Sequence, residues 1–73
     1  DVSTEDGVRE LADFAMGTLG RIDILVNNVG ASPTVPFLEI STAEWRRLMA
    51  INVDSMFFAC QAFVPGMITA GWG

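Results

Sequence analysis

One segment of this chain reads as a β-strand, and only one. Ile22 to Asn27 is a short apolar run with no polar alternation beyond Asp23, the pattern of a strand covered on both faces in a parallel sheet. The N–H and C=O groups of such a strand need neighbours on both sides, so a single strand cannot make a sheet. The 73 residues therefore read as an excerpt of a larger domain. Composition agrees, because 51% of the residues are hydrophobic. A chain this short buries only about 60% of the surface its unfolded form exposes, so the excess apolar surface calls for a covering partner.

Helices flank the strand. Ser3 or Thr4 can cap the first, with Glu5 and Asp6 in its first turn, where acids favour the helix dipole. Val8, Leu11, Ala12, Ala15 and Leu19 follow at helical spacing, and Gly20 fits the C-cap. Gly7 and Gly17 weaken this helix by roughly 1 kcal/mol each relative to Ala. Ser32, Pro33, Thr34 and Pro36 mark a loop from Ala31 to Ile40. Ser41-Thr42-Ala43-Glu44 fits a capping box. Behind it, Trp45, Leu48, Met49, Asn52, Met56, Cys60 and Phe63 line one face of a helix, widened by Val53, Phe57 and Val64. That helix is expected over about Ala43 to Val64, weakened at Pro65-Gly66, with Thr69 to Gly73 as a turn.

Charge and residue types exclude several functions. The net charge is −5 and the only cations are Arg9, Arg21, Arg46 and Arg47, which form no basic patch for nucleic acid. No apolar run reaches the ~18–20 residues of a membrane span, and Asp1 to Asp6 are unlike the basic start of a signal peptide. The single cysteine, Cys60, rules out an internal disulfide framework, and a reducing, cytoplasmic setting is the default. The chain has no Lys, His or Tyr, the types that supply most general acids and bases near pH 7. One Cys without His builds no zinc site, so no metal is expected. Without His or Lys beside Ser32, Ser41 or Ser55, no hydrolase triad can be drawn.

Five positions remain as carriers of chemistry. Asn28, after Asn27 at the end of the strand, offers a ligand both a donor and an acceptor, and Gly30 admits close approach; the same residues also suit an ordinary strand-to-loop turn. Asn52 lies on an apolar helix stripe 24 residues after Asn28. It reads either as a functional amide or as one satisfied by a neighbouring carbonyl or water. Asp1 and Val2 could rim an adenine, the carboxylate accepting from the exocyclic amine, or could simply lead into the helix. Cys60, on the inward face with no cation near in sequence, reads as a buried structural thiol. Arg46 and Arg47 read as a solvated helix face.

Gly20-Arg21-Ile22-Asp23-Ile24-Leu25-Val26-Asn27-Asn28-Val29-Gly30, followed by Glu44-Trp45 and Ile51-Asn52-Val53, resembles the short-chain dehydrogenase/reductase family. The resemblance covers essentially the whole chain and rests on three elements in the right order and spacing. It implies an α/β fold: a partial Rossmann-type doubly wound domain, seen here as a helix–strand–loop–long-helix excerpt of a parallel sheet. Residues 1–73 would be the central part of a single NAD(P)-binding domain. Asp1 and Val2 would then sit in the adenine pocket, Asn27 and Asn28 would stabilise the sheet, and Asn28 and Gly30 would border NAD or NADP. Asn52 would be the catalytic helix asparagine, holding a water in a proton relay. The helix over 43–64 would form the interface of a homo-oligomer, a dimer or tetramer. Val29 stands where the family most often has Ala. The glycine-rich phosphate loop, the catalytic serine and the Tyr-x-x-x-Lys pair are absent.

Two functions follow as expectations. In the first, the chain is a fragment of an oxidoreductase that passes hydride between nicotinamide and a carbonyl or alcohol, and is inactive by itself. In the second, it is a non-catalytic truncated copy that acts as a helical dimerisation module. A different nucleotide-binding α/β protein would explain the strand and Gly30 but not Asn52 at its spacing.

Overall fold

Thr4 starts the first helix because its extended backbone lets Oγ1 accept from Gly7 N–H at 3.1 Å, satisfying one of the donors that a helix start leaves open. Helix α1 runs Glu5–Leu19 and closes at Gly20, whose N–H donates to Met16 O at 2.9 Å. The computed structural model describes all 73 residues. A 3₁₀ turn, Phe37–Glu39, interrupts the loop before the second helical region. There α2 (Thr42–Met49), a π turn (Ala50–Asp54) and α3 (Ser55–Ala70) join into one continuous helix of 29 residues.

Ser41 caps that helix as expected, its Oγ accepting from Glu44 N–H at 3.1 Å. The reciprocal half of the capping box does not form. Glu44 turns to Arg47 instead, accepting from Nε at 2.8 Å and from Nη2 at 2.6 Å. Arg47 is therefore paired, whereas Arg46 has no partner. The hydrogen bond from Arg47 holds the Glu44 carboxyl below the usual carboxylate range, and the same bond raises Arg47.

The helix also outlasts its expected end. Pro65 and Gly66 lie on the exposed side, and the helix continues past them to Ala70. Thr69 Oγ1 donates to Pro65 O at 3.1 Å. The end is a Schellman closure: Gly71 sits in the left-handed region (φ 72°), its N–H donates to Ile68 O, and Trp72 N–H donates to Met67 O. By length and composition alone the 42–70 helix could cross a membrane, a reach that a scan for unbroken apolar runs does not register.

The strand does not form. Residues 21–33 hold no regular structure, and no backbone–backbone hydrogen bond outside the helices involves them. The structure is thus helical, not the α/β excerpt the sequence suggested. The reason is non-local: a ladder needs a second extended chain, and these residues supply none.

Packing is correspondingly thin. Helix α1 lies against α3, and only Val8, Ala12, Leu48, Ser55 and Phe63 are buried. The helix face turned inward is not quite the expected one. Ser55 and Phe63 are buried, while Trp45, Met56 and Phe57 stay open to solvent. Cys60, expected to be buried, is exposed. The accessible surface is 5438 Å², against about 4,400 Å² for a compact protein of this mass. The radius of gyration is 14.8 Å, against about 11 Å for a compact chain of this length. The excess is apolar helix and loop surface without a covering layer.

Candidate functional site

Asn52 is the hinge of the site. It lies in the π turn, which Ser55 N–H closes by reaching the Ala50 carbonyl five residues back, a distortion that recurs at functional sites. Its side chain reaches across 21 residues to the loop after the apolar run. Oδ1 accepts from Ala31 N–H at 2.8 Å and Nδ2 donates to Ala31 O at 2.8 Å. Each half of the amide thus has a partner, and the long helix is fastened to the loop through the backbone of one residue, Ala31. Of the two readings open at Asn52, the structure displays the amide satisfied by a neighbouring carbonyl.

Gly30 explains how the amide gets so close. A Cβ built on Gly30 would stand 3.0 Å from Asn52 Oδ1, tighter than ordinary van der Waals contact. Glycine here admits the helix amide, where close approach of a ligand is the expectation from sequence. Ala31 supplies both backbone partners. Nothing in its residue type marks it, since any residue other than proline could present the same N–H and C=O groups.

A second cluster forms beside the first. A cavity of about 110 Å³ is lined by Val2, Asn28, Val29, Ser55, Ala59 and Phe63 among others. It brings Val2 to the end of the apolar run. The Asn28 amide is exposed and makes no hydrogen bond, so both its donor and its acceptor are open to a ligand. Asn27 is committed elsewhere: its Nδ2 donates to Cys60 Sγ at 3.8 Å, a weak bond to the long helix where a tie to a neighbouring strand had been expected. Asp1 is turned inward on its own segment. Its Oδ1 accepts from both the N–H and the hydroxyl of Ser3, at 2.9 and 2.7 Å, which leaves Oδ2 free to accept from an amine. The five predicted positions therefore fall into two groups, Val2 with Asn28 and Gly30 with Asn52, with Asp1 at the outer edge.

Ser55, which has no His or Lys partner to make it a nucleophile, has a structural role instead. It is 6% exposed and its Oγ donates to Ile51 O at 2.6 Å. Serine bonding back to the carbonyl four residues earlier is a known habit of the residue within helices.

The residues fit one edge of a dinucleotide. An uncommitted amide and an apolar wall suit a base or a ribose, and Oδ2 of Asp1 suits an exocyclic amine. No arginine lines this cavity.

Comparison with known proteins gives the same answer throughout. The family profile described as short chain dehydrogenase matches residues 1–73. The chain is 41% identical, over all its residues, to 7alpha-hydroxysteroid dehydrogenase of Escherichia coli (strain K12), and 40% identical to D-threitol dehydrogenase of Mycolicibacterium smegmatis. It spans 28% of the length of each. Among solved structures, a metagenomic short-chain oxidoreductase in complex with NADP superposes with a TM-score of 0.91 at 35% identity, covering 100% of this chain and 34% of that one. The NADPH-bound Y152F variant of ElxO superposes at 0.87 with 27% identity, covering 100% and 30%. A helical chain that superposes this closely follows the backbone path of an α/β domain even where its own strand is unpaired. The chain belongs to the short-chain dehydrogenase family of oxidoreductases.

Proposed function

We propose that residues 1–73 are the central part of a single NAD(P)-binding Rossmann-type domain, in an oxidoreductase that moves hydride between nicotinamide and a small carbonyl or alcohol substrate. The observation that carries this reading is the Asn52 clamp. It fixes the helix against Gly30-Ala31 and leaves the Asn28 amide open beside Val2. In this reading Ile22 to Asn27 pairs as an inner strand of a parallel sheet. Asp1 and Val2 border the adenine, and Asn28 and Gly30 border NAD or NADP. The nicotinamide, when bound, gives or accepts the hydride. Asn52 supports the proton relay by holding the helix in place, since both halves of its side-chain amide are already engaged on Ala31. The setting is cytoplasmic, with neither nucleic acid nor membrane as partner.

The long helix has a second task in this reading. Trp45, Phe57 and Val64 are exposed along it, and an apolar face of that extent suits a subunit contact. We assign the 43–64 segment to a homo-oligomer interface; the same surface is what would favour a non-catalytic dimerisation module.

The test is spectroscopic. The full-length protein that carries this segment is mixed with NADH or NADPH and a ketone panel, and with the oxidised nucleotides plus hydroxysteroids and sugar alcohols, the substrate types named for the relatives. Loss or gain of the reduced-nicotinamide absorbance is expected with at least one pair. The 73-residue chain alone is expected to show none. Absence of hydride transfer across the panel, with no nucleotide binding by calorimetry, would defeat the assignment and leave the dimerisation module standing.

A further inference from the structure

The π turn moves the Ser55 N–H off the Ile51 carbonyl, and the Ser55 hydroxyl bonds that carbonyl instead. In a regular α-helix Ile51 O would accept from Ser55 N–H. Here Ser55 N–H reaches back to Ala50 O. The hydroxyl takes its place on Ile51 O, at 2.6 Å. Ile51 O belongs to the peptide unit that enters Asn52, so this bond fixes the plane from which the Asn52 side chain springs. Ser55 also lines the cavity at Asn28 and Val29 and is 6% exposed, so solvent has little access to replace its hydroxyl.

We propose that Ser55 is a positioning residue for Asn52: its hydroxyl closes the carbonyl freed by the π turn and thereby holds the Asn52 amide on Ala31. Without the hydroxyl, Ile51 O is left open in a half-dry place, and the helix regains it by sliding toward α register. That slide turns Asn52 away from the loop, because one residue of register rotates a helical side chain by about 100°. The relay role assigned to Asn52 rests on the proposed function; the structural coupling of Ser55 to Asn52 does not.

The test uses the full-length protein with Ser55→Ala, Ser55→Thr, Asn52→Ala and the Ser55→Ala/Asn52→Ala double variant. Two quantities are read: hydrogen-exchange protection of the Ala31 amide, which donates to Asn52 Oδ1, and kcat beside KM for the nucleotide. Ser55→Ala is expected to lower both the protection and kcat by about ten-fold, the scale of one buried hydrogen bond. The nucleotide KM is expected to move by under about two-fold, as for a group felt only in the chemical step. Ser55→Thr keeps a hydroxyl and is expected to retain both values. In the Asn52→Ala background, Ser55→Ala is expected to change neither. Unchanged Ala31 protection in Ser55→Ala, or the same loss with and without Asn52, overturns the proposal and makes Ser55 a general stabiliser. Should Ser55→Ala fail to fold, Ser55→Cys, nearly isosteric and a weaker donor, gives the same readouts with a partial loss expected. If the wild-type protein transfers no hydride, the proposed function fails, while Ala31 protection still decides the role of Ser55.

Discussion

Replacing Asn52 with alanine removes two hydrogen bonds of 2.8 Å from one residue, those to the N–H and C=O of Ala31. Each such bond contributes about 0.5–1.5 kcal/mol net. Asn52 and Ala31 are only partly buried, so water recovers some of what is lost, and the full desolvation penalty does not apply. The sum is about 2 kcal/mol for attachment of the loop to the helix. Since 1.4 kcal/mol is a factor of ten, the Ala31 amide should exchange its hydrogen about thirty-fold faster in Asn52→Ala than in the wild type, if exchange follows local opening of this loop. Asn52→Asp should be worse. A carboxylate still accepts from Ala31 N–H but presents its second oxygen to Ala31 O, two acceptors face to face. The assay is amide hydrogen exchange of the full-length protein read residue by residue, with amides of α1 as an internal control, because α1 makes no bond to Asn52. Ala31 protection that stays within a factor of about two of the wild type in both variants refutes the clamp, since a two-fold change is only about 0.4 kcal/mol.

Three further outcomes follow from the same geometry. Gly17 lies inside α1 with open space where a Cβ would stand, so Gly17→Ala should stabilise the protein by about 1 kcal/mol through helix propensity, seen as a higher denaturant midpoint at unchanged slope. The Glu44 carboxyl is held below its ordinary range by the Arg47 hydrogen bond, so its folded pKa lies below its unfolded one. The stabilisation is present above the unfolded value and fades as pH falls through the folded one; Glu44→Gln should flatten that part of a stability-versus-pH curve, and an unchanged curve counts against the pairing. Phe57 is 61% exposed on the long helix, so Phe57→Asp should shift the sedimentation of the full-length protein from oligomer to monomer without lowering its helix content.

Local chemistry was readable from residue order, and chemistry that depends on partners was not. The starts of both helices follow from Thr4 and Ser41, each of which bonds an N–H three residues on. Gly20 and the first helix end also follow from sequence. The end of the long helix does not, because Pro65-Gly66 carries a strong local stop signal that the Thr69 back-bond and the Gly71 closure outweigh. The strand at Ile22 is legible as a pattern yet absent as a structure, since a ladder is a property of two segments and the pattern belongs to one. Asn28, Gly30 and Asn52 stand out in the sequence by residue type and spacing, whereas Val2 stands out only through the resemblance to the family. Ala31 acts only through its backbone and leaves no trace in the sequence. The role of Ser55 depends on the π turn, which moves its N–H off Ile51 O, and the same turn breaks the helical stripe on which the expected inward face rests.

Hydrogen exchange of the full-length protein across Ile22 to Gly30, with and without NADP(H) or NAD(H), tests the central claim most directly. The account predicts slow exchange over Ile22 to Asn27 in both states, from pairing on both edges of the strand, and added protection at Asn28 to Gly30 when nucleotide binds. Fast exchange over Ile22 to Asn27, with no response at Asn28 to Gly30 to any nucleotide, would contradict it and leave a helical module with an unpaired loop.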